Sequence, residues 1–92
     1  MHVTRSSRKD KKYMVRVNGR LIHFGARGYD DYTTHGDDRR KANYLARHRN
    51  ENWTDVNTAG FWARWLLWNK PTIAGSIRDI NSRFNLNVHS QL

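Results

Sequence analysis

Ninety-two residues with 17 Lys and Arg against 8 Asp and Glu, a formal net charge of +9 and no cysteine describe one small, strongly basic domain. The missing cysteines exclude a disulfide framework and any thiolate metal site. No apolar run is long enough for a membrane span, and the polar start MHVTRSSRKDKK does not read as a signal peptide. The expectation is a soluble, non-secreted protein of a cell or virion interior.

Residues 1–12 form a basic arm in which Arg5, Arg8, Lys9, Lys11 and Lys12 face the single acid Asp10. An arm of that composition is expected to be disordered on its own. Residues 13–92 are expected to make one compact domain. In residues 13–24, YMVRVNGRLIHF, two β-favouring runs flank Asn18-Gly19, the preferred pair for a type I′ turn. A two-residue turn sets Val17 opposite Arg20, Val15 opposite Ile22 and Tyr13 opposite Phe24. Tyr13, Val15, Val17, Ile22 and Phe24 then share the core face, and Met14, Arg16, Leu21 and His23 the other.

Gly25 and Gly28 end the second strand. The loop that follows carries Tyr29, Tyr32 and Gly36 and has room for one helical turn. Asp37 or Asp38 is a plausible N-cap for a helix to about Arg49, with acids at its start and Arg47, His48 and Arg49 at its end. In projection Arg39, Arg40, Asn43 and Arg47 share its outer face, and Ala42, Leu45 and Ala46 lie opposite.

The stretch 57–68, NTAGFWARWLLW, holds three of the four tryptophans. Phe61, Trp65 and Trp68 fall on one helical face with Trp62 and Leu66 beside them, so the helix is read as buried and central. The competing reading gives part of this aromatic surface to bases or a partner chain, and leaves Trp53 and Trp62 as either core or contact residues. Asn69-Lys70-Pro71 ends it. Ile73, Ile77, Ile80 and Phe84 then recur as the core stripe of a last helix over residues 72–84. In the tail, Leu86 and Val88 suffice for one brief extended contact. The expected fold is α+β: a two-stranded hairpin packed on three helices, β-β-α-α-α.

The run KKYMVRVNGRLIHFG, the Tyr- and Asp-rich loop, the basic DDRRKANYLARH and the block TAGFWARWLLWNKPTIAGSIRDINSRF together resemble a family of short basic proteins of unknown function. That family is encoded by nucleocytoplasmic large DNA viruses and other double-stranded DNA viruses. The resemblance covers about residues 11–84, and its most specific pieces are V-x-V-N-G-x-x-I-x-F-G and G-F-W-x-x-W-x-L-W-N-K-P. It implies viral origin and a place in the particle or on viral DNA, and it carries no catalytic residues over.

The residues point away from catalysis. No two of the five histidines stand three or four apart. Asp30, Asp31, Asp37 and Asp38 could gather round a divalent ion as a nuclease requires, but adjacent Asp pairs at a loop and a helix start read more simply as turn and capping residues. Ser6 and Ser7 sit in the arm, Ser76 and Ser82 lack a nearby histidine in sequence, and no phosphate loop is present. The expectation is a non-enzyme with no metal, no cofactor and no small-molecule substrate.

Charge makes the case for a polyanion. Arg5, Arg8, Lys9, Lys11 and Lys12, continued by Arg16 and Arg20 on the hairpin, form one basic surface, and Arg39, Arg40 and Arg47 a second. Phosphate contacts to double-stranded DNA are the first expectation, without base reading, since no helix-turn-helix signature is present. The alternative is a minor capsid or cement protein docked on acidic coat-protein surfaces, with Met14, Leu21 and an unpaired hairpin edge available for contact.

Overall fold

The computed structural model describes residues 1–92. Asn18 and Gly19 both take positive φ, 50° and 80°. The resulting type I′ turn joins β2 (Lys11–Val17) to β3 (Arg20–Ala26) in the expected register: Val17 opposite Arg20, Val15 opposite Ile22, Tyr13 opposite Phe24.

The hairpin is the middle of a larger sheet, which corrects the two-stranded, three-helix expectation. Residues His2–Arg5 form β1, antiparallel to β2 with Val3 opposite Val15, and His89–Ser90 form β4, parallel to β1. The sheet is four-stranded and mixed, in the order β3-β2-β1-β4. The basic arm of residues 1–12 is therefore β1, the turn after it and the first two residues of β2. Its Val3 is completely buried, and its backbone pairs with β2 on one side and with the C-terminal segment on the other. Those hydrogen bonds and one buried valine outweigh the arm's charge, because Arg5, Arg8 and Lys9 are held at the surface and Lys12 is paired with Asp31.

Four helices lie between β3 and β4: α1 (Tyr32–His35), α2 (Asp38–Arg47), α3 (Ala59–Trp62) and α4 (Ile73–Phe84). The short α1 is the helical turn allowed for in the loop. Beyond Trp62, α3 widens into a π-helical segment over Ala63–Leu67, closed by the Trp68 amide donating to the Ala63 carbonyl at 3.1 Å. This i→i+5 widening rotates the residues after it. Trp62, Leu66 and Leu67 become the inward side chains, and Trp65 and Trp68 are only half-buried.

One face of the sheet supplies Val3, Val15, Val17, Ile22 and Phe24 to the core. Phe61, Trp62, Leu66, Leu67, Ile77, Ile80 and Val88 complete it, with Ile73 and Phe84 at its margin. The Trp62 indole N–H donates to the Val56 carbonyl at 2.8 Å, so a fully buried indole is also satisfied.

Helix α2 packs differently from its projection. Ala42 and Ala46 are exposed, and the inward face is Lys41, Tyr44, His48 and the expected Leu45. The Tyr44 ring lies flat on Trp68, centroids 4.4 Å apart and 2° from parallel. Two alanine methyls cannot compete with an aromatic stack for the contact. Lys41 donates to the Asn69 carbonyl at 2.7 Å and lies over the Tyr32 ring. Burial, helped by Arg64 and Lys70 nearby, pulls the Lys41 ammonium below its ordinary range.

Candidate nucleic-acid interface

Where β3 ends, Gly25 takes φ +79°, and a Cβ there would sit 2.9 Å from the Leu67 side chain. Only glycine allows this close approach at that φ. The chain turns away here into the loop that carries Tyr29, and α1 begins at Tyr32, after its cap Asp31. The Asp31 carboxylate caps α1 by accepting the Thr33 amide at 2.9 Å, and it also accepts the Lys12 ammonium at 2.7 Å. Both side chains of this ion pair are largely buried.

On the far side, Asp37 caps α2 by accepting the Arg39 and Arg40 amides at 2.9 and 3.2 Å. Those amide bonds, Arg40 first, hold the Asp37 carboxyl below its ordinary range. The cap aligns Arg40, Asn43 and Arg47 along the exposed side of α2.

Between these two walls lies an open cleft of about 680 Å³. Lys11, Ala26 and Tyr29 stand on one side and Arg40, Asn43 and Arg47 on the other. Phe24, Tyr44, Leu67 and Trp68 contribute to its lining. Tyr44 is held between Trp68 and the His48 ring, which stacks on it at 4.3 Å, and burial pushes its phenol up to about 12. The acids of the cleft are mostly engaged: Asp31 by Lys12, and Glu51 by His48 at 2.7 Å.

The structure thus brings together four of the ten cations proposed from the sequence: Lys11, Lys12, Arg40 and Arg47. Lys12 is committed to Asp31, which leaves three to face a ligand. Arg5, Arg8, Lys9, Arg20 and Arg39 are exposed away from the cleft, with Arg8 ion-paired to Asp10 at 3.4 Å. Arg16 lies on the outer face of the sheet and donates to the Gly19 carbonyl at 3.2 Å.

Sequence reasoning left Tyr29 without a role, although loops are where contact residues concentrate. It could not have joined Tyr44 to Trp68. The four aspartates do not converge. Asp31 and Asp37 are caps and Asp38 accepts the Tyr32 hydroxyl, as turn and capping residues do. No helix is long and apolar enough to cross a membrane.

A model of a family of unknown function matches residues 1–48, which span the whole hairpin, α1 and α2. All ten proposed cations fall within that match. No curated protein and no solved structure matches the chain.

Proposed function

The chain belongs to that family of unknown function, DUF5754, and we propose that this member binds nucleic acid, chiefly duplex DNA, by phosphate contacts and performs no chemistry on it. One observation carries the reading. Of the 17 Lys and Arg side chains, only Arg8, Lys12 and Arg83 have a carboxylate partner. A basic surface that is merely solvated gains from interspersed acids, which lower its self-repulsion. Here Asp31 and Asp37 cap helices, Asp10, Asp31 and Asp79 each pair with one cation and Glu51 contacts His48, so 14 of the 17 Lys and Arg side chains are left without a carboxylate for a polyanion to meet. The resemblance to short basic proteins of large DNA viruses makes viral DNA, inside the particle or the infected cell, the natural partner.

The test is a fluorescence-anisotropy titration of duplex DNA between about 50 and 300 mM salt. With about six phosphates engaged, log affinity falls against log salt with a slope near −5. Replacing Arg39, Arg40 and Arg47 together by alanine should keep the fold, since all three side chains are exposed, and should flatten that slope by up to about 3. An unchanged slope and affinity would clear α2 of the role.

A second reading rests on the sheet's outer face. No helix covers it; Leu21 is 44% exposed there beside Met14, and the outer edge of β3 is unpaired. Such a face suits a coat-protein neighbour. A folded protein that binds DNA weakly even at low salt would move the assignment to an acidic capsid surface.

A further inference from the structure

Resting on that reading, we infer that the cleft between β3 and α2 is a site for a single-stranded stretch of nucleic acid, with a base stacked on Tyr29 and its phosphates held by Lys11, Arg40 and Arg47.

Tyr29 is 74% exposed and is the one strongly exposed aromatic ring in the chain. Every other large aromatic is buried or half-buried. An exposed aromatic face offers a base a surface to stack on. Tyr29 stands at the mouth of a cleft whose volume, about 680 Å³, lies within the range of sites that swallow a small organic ligand. Opposite it, Arg40 and Arg47 are seven residues apart on α2, two turns along one face, with Asn43 between them. That row places a cation on each side of an amide able to donate to and accept from a base edge. Lys11 adds a third cation from β2; of the three acids of the cleft, Asp31 is ion-paired to Lys12, Glu51 is hydrogen-bonded to the His48 ring, and Asp30 has no ion pair.

Cations flanking a stacking ring match single strands better than duplexes. A duplex keeps its base faces stacked inside and shows a protein only edges and backbone, so an exposed tyrosine has nothing to stack on. A single strand presents both parts, base face and phosphate, at the spacing of adjacent nucleotides. An acidic peptide would use the cations but leave Tyr29 bare.

The experiment compares, at fixed low salt, oligothymidylate of about 12 nucleotides, an abasic strand of the same length, and a duplex of equal phosphate count, by anisotropy with the full-length protein. Oligothymidylate should bind tighter than the abasic strand. Tyr29→Ala should lower oligothymidylate affinity roughly 5- to 100-fold and leave the abasic strand and the duplex unchanged. Tyr29→Phe, which keeps the ring, should retain parental affinity. Exposed Tyr29 makes neither substitution a threat to folding, and circular dichroism verifies this. Equal binding of all three probes, untouched by Tyr29→Ala, would overturn the single-strand site and leave the phosphate reading standing. No binding by any probe would overturn both.

Discussion

Val3→Ala tests whether the N-terminal segment belongs to the fold. Val3 is completely buried, sits opposite Val15, and lies in the same core cluster as Val17, Phe24 and Val88. Truncation to alanine removes two methyl groups, about 1.6 kcal/mol at roughly 0.8 kcal/mol each. A residual void of roughly 50 Å³ adds about 1.2 kcal/mol. The sum, about 2–3 kcal/mol, is a large share of the roughly 5–14 kcal/mol expected of a domain this size. Urea denaturation followed by tryptophan fluorescence reads it directly, and the melting temperature should drop by about 10–20 °C. Val3→Asp places a carboxylate among apolar neighbours with no partner and should abolish folding. If Val3→Asp melts like the parent, the segment is the free arm its composition suggests, and the four-stranded sheet is wrong.

Two neighbouring lysines should behave oppositely. Lys12→Ala strands the buried Asp31 carboxylate and should cost about 3–5 kcal/mol, whereas Lys11→Ala, which breaks no ion pair, should be nearly neutral to stability and weaken nucleic-acid binding; equal melting temperatures would remove the structural role given to Lys12. High pH should unfold the protein through Tyr44. Its folded-state phenol is raised to about 12 by burial, so the stabilising difference is complete below pH 10 and is lost as pH rises towards 12, about 2–3 kcal/mol in all. Tyr44→Phe should blunt that loss in denaturation curves taken from pH 9 to 12, and an undiminished loss would place it elsewhere.

The hairpin was legible in the sequence because its determinants are local. Asn18-Gly19 demands positive φ at two consecutive residues, and a two-residue turn leaves one register for the strands it joins. The stripe Ile73, Ile77, Ile80 and Phe84 was legible for the same reason: a helix brings those positions to one side whatever surrounds it. The cap at Asp37 follows from nearest-neighbour chemistry as well.

What stayed hidden depends on partners far away in the chain. Strand β1 has one apolar side chain at its centre, and its stability comes from Val15 on one side and from Ser90 on the other, contacts that no local pattern announces. The inward face of α2 was misread because periodicity ranks residues by hydrophobicity, and Tyr44 gains its place from a ring 24 positions later in the chain. The cleft has the same origin. By itself the sequence determined the charge, the turn and the helical stripes, each a property of neighbouring residues. Only the tertiary structure decided that Lys11, Tyr29, Arg40 and Arg47 meet around one concave surface, because that meeting is produced by the packing of β3 and α2 on the Leu67–Trp68 end of the central helix.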